Sequence, residues 1–153
     1  MNRSASTLWI DWHMPELAGE QWEFFHHPAK QAFYQRHDLA WQDIVTGFPG
    51  GTLQPYPRSD QIDGIPVSGS YSSYDDYTFY LAKAKRGYRQ SYARMEVALQ
   101  RDGSLSLPAP IVLVCNNEGM LFSGYRRLCL AWNYGMVPRV WLVNLERGAA
   151  PCA

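Results

Sequence analysis

The chain has 153 residues, of which 46% are hydrophobic and 14% aromatic, and its formal net charge is zero. This composition excludes a disordered chain, and the length suffices for one domain with a substantial core. No apolar run is long enough to span a bilayer, and the N-terminus lacks the apolar stretch of a signal peptide, so no membrane insertion is expected. The three cysteines (Cys115, Cys129 and Cys152) are too scattered for a disulfide framework, which favours a cytoplasmic location.

The charges are divided unevenly along the chain. The part before Lys83 carries four bases and ten acids, a net −6, whereas the part from Lys83 onward carries ten bases and four acids, a net +6. Such a basic C-terminal part is typical of contact with nucleotide or nucleic acid phosphates. The alternative is that the two parts complement each other within one fold.

Residues 1–72 are interpreted as an N-terminal extension followed by a long loop. A strand is predicted over 7–12, a helix from Pro15, a second helix over 29–37, and a short continuation through Ile44 capped by Asp38. The His26-His27-Pro28 sequence predicts a helix boundary, because a residue before proline avoids the helical conformation. Residues 47–73 are rich in Gly, Pro, Ser and Asp, which predicts an irregular connection with a short strand over 65–67. That connection is either a lid over a site or simply disordered.

The four histidines do not predict a metal site. His13, His26, His27 and His37 have no spacing typical of zinc ligands, and no cysteines accompany them. They are interpreted as polar edges of an aromatic-rich surface, and a catalytic role for one of them stays open.

A long basic helix is predicted over 74–100, where apolar residues recur at near-helical spacing. Lys85, Arg86 and Arg89 are the predicted nucleic-acid-binding residues on its other faces, with tyrosines between them that can stack on bases. The alternative is a solvated basic face over an aromatic core stripe.

Residues 110–145 carry the clearest pattern. An apolar strand over 111–115, an Asn-Asn-Glu-Gly turn, a strand over 121–122, a helix over 125–134 and a strand over 140–143 are predicted, with Gly135 ending the helix. Ser123, Gly124, Tyr125, Arg126 and Arg127 form the strand-to-helix junction. The unpaired amides of Tyr125, Arg126 and Arg127, the helix dipole and the two arginine side chains predict a phosphate site there, and Gly124 is expected to let the ligand approach the backbone closely. One arginine is expected to face the ligand and the other to pair with an acid such as Glu118. Two solvated arginines on an ordinary helix are the alternative.

This segment resembles the ParB/sulfiredoxin-like superfamily over roughly residues 90–146. The resemblance rests on Pro110 before a branched aliphatic strand, the box Gly124-Tyr125-Arg126-Arg127, Gly135, and the last strand around Val140. It implies an α/β fold with a small mixed β-sheet flanked by helices, a core over 73–146 and a tail over 147–153. Sulfiredoxins have cysteine and histidine before their arginine, where this chain has Gly124-Tyr125, so sulfinic acid reduction is not expected. Because the sequence ends soon after the last strand, the helix-turn-helix and dimerisation parts of ParB, and with them a chromosome-partition clamp, are not expected.

The function implied by the resemblance is binding of nucleotide or nucleic acid phosphates, with hydrolysis as an ATPase or nuclease left open. The expected cofactor is ATP or another nucleoside triphosphate with Mg²⁺, and DNA or a protein is a further expected partner. Glu118 and Arg126 are the predicted catalytic residues, although Glu118 is equally well an ordinary turn residue. The alternative function is a non-catalytic interaction or inhibitor module with a vestigial phosphate site, as in conjugation fertility inhibition by a plasmid protein of this superfamily.

Overall fold

The computed structural model describes residues 8–26, 28–58, 60–68 and 86–146. In chain order its elements are β1 (Trp9–His13), a 3₁₀ turn (Ala18–Glu20), α1 (Gln21–His26), α2 (Pro28–Arg36), α3 (Trp41–Gly47), a 3₁₀ turn (Phe48–Gly50), β2 (Thr52–Pro55), β3 (Gln61–Ile62), β4 (Ile65–Ser68), α4 (Arg86–Asp102), β5 (Ser104–Pro108), β6 (Ile111–Cys115), β7 (Glu118–Ser123), α5 (Tyr125–Asn133) and β8 (Arg139–Asn144).

Six of the strands form one mixed sheet in the order β2-β8-β6-β7-β4-β3. Neighbouring strands are antiparallel except for the parallel pairs β6–β8 and β4–β7. Strands β1 and β5 form a separate parallel pair. The predicted α/β class, a mixed sheet flanked by helices, is therefore confirmed. The segment assigned to the N-terminal extension supplies β2, β3 and β4 to this sheet.

Strand β6 lies at the centre of the core, and all five of its residues are buried. Because side chains alternate along a strand, Ile111, Leu113 and Cys115 pack with the aromatic residues of α1 to α3. Val112 and Val114 pack on the other face with Leu128 of α5. Fully burying a side chain of this kind contributes about 1.5–3 kcal/mol, so this strand anchors helices on both faces of the sheet.

The turn between β6 and β7 follows directly from its sequence. Asn116 and Asn117 have φ values of +52° and +63°, and the flanking Cys115 and Glu118 are paired across the hairpin. Two positive φ values are the signature of a type I′ turn, whose twist matches that of the strands, and asparagine tolerates this conformation. Glu118 is thus the first residue of β7.

The predicted strands over 111–115, 121–122, 140–143 and 65–67 are all confirmed, as is the helix that Gly135 ends. The boundary at Pro28 is also confirmed, because α1 ends at His26 and α2 begins at Pro28. Helix α4 confirms the predicted long helix from Arg86 and ends two residues later than predicted, whereas 74–85 lie outside the described residues. β1 begins at Trp9, and Thr7 lies outside as well.

The prediction of an irregular connection over 47–73 was wrong for most of the part that the structure describes. Besides the predicted strand β4, a 3₁₀ turn and strands β2 and β3 lie there, and β2 and β4 are hydrogen-bonded into the sheet. Strands held in a sheet do not form a lid, so the lid interpretation does not apply to them. Residues 59 and 69–73 lie outside the described residues.

Two smaller predictions also need correction, and one strand was missed. The first helical turn begins at Ala18, not at Pro15. Helix α3 is capped through Ala40, whose backbone N–H donates to Asp43 Oδ2 at 2.7 Å, and not by Asp38, which has a φ of +52°. Strand β5 was not predicted.

Candidate functional site

The predicted strand-to-helix junction exists, and we call Ser123 to Arg127 the arginine box. Strand β7 ends at Ser123, Gly124 is the N-cap of α5 with a φ of +101°, and the helix begins at Tyr125. The Arg127 backbone N–H already donates to the Gly124 carbonyl at 3.1 Å. Of the three amides predicted to hold phosphate, that of Arg127 is therefore engaged within the turn.

Gly124 is packed tightly on its Cβ side. A Cβ built there would lie 2.6 Å from Pro110 Cβ and 2.8 Å from Arg127 Nη2. The glycine was predicted to let a ligand approach the backbone, but on this side the space is filled by Pro110 and the guanidinium. The residue is required instead by its left-handed conformation and by this packing.

Arg127 is largely withdrawn from solvent. Burial lowers the pKa of its guanidinium, the Glu20 carboxylate raises that pKa, and the neighbouring Arg126 lowers it again. Its Nε is buried and has no hydrogen-bond partner among the described residues. A buried donor without a partner is costly, so this atom is where the box has unused capacity to bind an acceptor.

Glu20 contacts the arginine box, and the sequence does not predict this contact. Ser123 Oγ donates a hydrogen bond of 2.9 Å to Glu20 Oε1, which lies 103 residues away in sequence. The arginine partner was expected to be Glu118. No signal in the sequence links residue 20 to residue 123. From the sequence alone, Glu20 is one of several acids near the start of a predicted helix.

Lys30 of α2 contacts Phe122, the residue of β7 that directly precedes the arginine box. It is 8% exposed, and its Nζ donates to the Phe122 carbonyl and lies 5.6 Å from the centre of the Phe122 ring. The lysine therefore fixes α2 to the residue that precedes Ser123. No local pattern in the sequence predicts this contact either.

Tyr125 contributes its backbone, rather than its ring, to the junction. The half-buried side chain packs between the cluster around Leu130 and the cluster around Leu128, and its hydroxyl lies against the Cys129 thiol. Arg126 is half-buried. The arginine box thus presents two guanidinium groups with different environments, as the 100° step between adjacent helical residues requires.

Glu118 lies at the opposite end of β7 from the box. Five residue steps of about 3.3 Å place it roughly 17 Å from Ser123 along the strand. Its carboxylate is paired with Arg36 and with His37. The structure therefore does not bring the two predicted catalytic residues, Glu118 and Arg126, together.

The predicted nucleic-acid-binding residues are only partly described. Lys85 lies outside the described residues, and Arg86 and Arg89 are in the first turn of α4. Further along α4, Arg94 is exposed, and Arg101 is paired with Asp102 at 2.9 Å. A basic helix is therefore present, and its role in binding stays a prediction.

No group of three His, Cys, Asp or Glu side chains in the described part of the chain is placed to hold a metal ion. His13 Nδ1 lies 3.2 Å from Ser106 Oγ, and His26 packs against the Trp22 ring. His37 contacts Glu118, and His27 lies outside the described residues.

A shallow groove of about 560 Å³ lies among helices α1, α2 and α3. Four of its ten lining residues are aromatic, three are glutamines and one, Asp38, is charged: Phe24, Phe25, Gln31, Tyr34, Gln35, Asp38, Leu39, Ala40, Trp41 and Gln42. Trp22 and Phe25 are 66% and 55% exposed. Helices α1 to α3 thus carry exposed aromatic side chains, and no residue of the arginine box lines their groove.

No family model, curated protein or solved structure matches this chain. Among the residues that the structure describes, no helix combines the length and the apolar character needed to cross a membrane.

Proposed function

We propose that the chain is a ParB/sulfiredoxin-like domain that binds the phosphate groups of nucleotide or nucleic acid at the arginine box. The observation that carries the proposal is Arg127, a largely desolvated guanidinium with a buried, unpartnered Nε. Where water is scarce, a charge-assisted bond to an anion is stronger than at an exposed arginine. Arg126 adds a second positive charge beside it.

The order of elements supports the same proposal. A proline-led strand, a hairpin, the box, a helix ended by Gly135 and a last strand follow each other as the resemblance implies. ATP or another nucleoside triphosphate is the proposed nucleotide, with Mg²⁺ bound through its phosphates. Binding, rather than hydrolysis, is the better-supported part, because Glu118 is paired elsewhere and lies far from Arg126.

The proposal is tested by calorimetry with ATP, with and without Mg²⁺, on Arg126→Ala and Arg127→Ala. A charge-assisted hydrogen bond contributes about 1.5–3 kcal/mol, so affinity should fall by about tenfold or more in at least one variant. Arg127→Lys, which keeps the charge and loses the bidentate fork, should retain part of the binding.

The control is Arg101→Ala, which removes an arginine that is paired with Asp102 on another helix. Circular dichroism checks that each variant is folded, since Arg127 is largely buried. If the parent does not bind ATP, or if Arg126→Ala and Arg127→Ala bind it like the parent, the arginine box is scaffold.

A second candidate function is a non-catalytic interaction module, favoured by the aromatic groove and the exposed Trp22 and Phe25. Exposed aromatic patches of this kind are typical of protein-binding surfaces. In that case Trp22→Ala and Phe25→Ala should abolish the inhibition or recruitment of the partner protein, while ATP binding should stay unchanged. Arg127→Ala should leave that activity intact.

A further inference from the structure

A carboxylate from the N-terminal part of the chain, that of Glu20, contacts the arginine box. Glu20 ends the 3₁₀ turn Ala18–Glu20, directly before α1, and is half-buried. Its Oε1 accepts the 2.9 Å hydrogen bond from Ser123 Oγ. Its charge also acts on the Arg127 guanidinium. Glu20 therefore interacts with two of the five residues predicted to hold phosphate.

The two contacts change what the box offers to an anion. A serine hydroxyl has one proton, and that of Ser123 is donated to Glu20, so it is not available to a ligand oxygen. The Arg127 guanidinium is held over Gly124, with Nη2 2.8 Å from the position of a Cβ there. The box thus has a fixed guanidinium with a fixed negative charge close by.

We infer that Glu20 is a specificity-determining residue of this site, and that its charge weakens the binding of terminal phosphate groups more than the binding of phosphodiesters. A phosphodiester carries one negative charge, whereas a phosphate monoester carries about −1.5 to −2 at neutral pH. The second negative charge of the monoester is repelled by the Glu20 carboxylate. This repulsion between the two groups is strong because water is partly excluded from the site. The inference rests on the proposed phosphate site and states which of its two ligand classes, terminal phosphate groups or phosphodiesters, Glu20 disfavours.

The experiment compares two small probes at pH 7.5 and low salt: dimethyl phosphate, a monoanion, and methyl phosphate, which is mostly a dianion. Both are titrated by NMR into the parent and into Glu20→Gln, whose amide oxygen can still accept the bond from Ser123. Glu20→Gln should bind methyl phosphate about tenfold more tightly, while its affinity for dimethyl phosphate should change by less than about threefold.

Two further variants separate charge at this position from other effects. Glu16→Gln changes the net charge equally at an exposed residue of the same segment, and should shift neither affinity beyond about twofold. Glu20→Asp keeps the charge and should keep the parent's ratio of the affinities for methyl phosphate and dimethyl phosphate. If Glu20→Gln does not fold, the inference is decided by Ser123→Ala, which frees the carboxylate to move away and should also tighten methyl phosphate binding.

The outcomes distinguish the inference from the function beneath it. If the parent binds phosphate and Glu20→Gln gains no more for methyl phosphate than Glu16→Gln, the role of Glu20 is overturned and the site stands. A Glu20→Asp variant that behaves like Glu20→Gln overturns it as well. If neither the parent nor Glu20→Gln binds either probe, both the inference and the proposed function fail.

Discussion

The imidazole of His37 lies 2.6 Å from the carboxylate of Glu118, measured from Nε2 to Oε1, and this contact joins helix α2 to the β6–β7 hairpin. Arg36 bonds both oxygens of the same carboxylate. Asn116 of the turn lies 3.4 Å from His37 Nδ1. Glu118 therefore anchors the central hairpin to the helical layer.

This anchor should make stability depend on acid. The Arg36 hydrogen bond, followed by that of His37, lowers the pKa of Glu118 from its ordinary value of 4.5. A lowered folded pKa means that the contribution is present above about pH 4.5 and is lost as the pH falls through the folded value. Glu118→Gln should cost about 1 kcal/mol at pH 7, allowing for solvent screening, and should flatten the acid dependence.

Urea denaturation of the parent and Glu118→Gln between pH 3 and pH 7 measures this. Glu16→Gln, which removes an exposed acid, serves as the control and should follow the parent. A Glu118→Gln variant that loses stability with acid as steeply as the parent would contradict the anchor.

The parts of the fold that could be predicted are those determined locally. Neighbouring residues determine the turn at Asn116-Asn117, the apolar strand β6 and the end of α5 at Gly135. β2 pairs with β8, with Thr52 opposite Leu142, so its partner is far away in the sequence. The surrounding glycines and prolines predict a loop there, and β2 was therefore missed. β5 was missed because it is a partly polar strand whose only described strand partner is β1.

The same distinction explains the candidate site. The arginine box is contiguous in sequence and therefore visible in it. Its acid, Glu20, arrives through a contact between residues 103 apart. Burial of Arg127 likewise depends on packing over Gly124 and Pro110, which no local pattern encodes.

Cys129 should be unreactive in the folded protein. Burial raises the pKa of its thiol to about 12, even though the Tyr125 hydroxyl acts in the opposite direction. Because only the thiolate is a nucleophile, alkylation by iodoacetamide at pH 8 should be at least about tenfold slower than for an unfolded cysteine. Peptide mass spectrometry with and without urea measures this, and rapid native labelling of Cys129 would contradict the packing of α5.

The basic helix α4 predicts salt-dependent binding if it contacts nucleic acid. Bound arginines release counterions from phosphates, so affinity should fall steeply between 50 and 200 mM salt. Arg86→Ala and Arg89→Ala should each reduce the logarithmic salt slope by about one. Fluorescence anisotropy with a labelled oligonucleotide measures the slope, and Arg101→Ala, paired with Asp102, is the control. Unchanged slopes would leave α4 a solvated face.

Gly124 should be the least replaceable residue of the arginine box for reasons of folding. Its φ of +101° is strained for any residue with a Cβ, and that Cβ would lie 2.6 Å from Pro110 Cβ. Left-handed strain costs about 1–2 kcal/mol, and overpacking typically adds about 1–3 kcal/mol. Gly124→Ala should therefore lose about 2–5 kcal/mol of unfolding free energy, and Gly124→Val more.

Gly135, at the other end of the same helix, supplies the matched control. It has a φ of +71°, but a Cβ there would meet no atom within 4 Å. Gly135→Ala should therefore pay only the conformational strain, about 1–2 kcal/mol. Denaturant titration of both variants isolates the packing of Pro110 and Arg127 against Gly124 as the difference between them. Equal losses would mean that this side of Gly124 is open, and the ligand-approach role predicted from the sequence would then be restored.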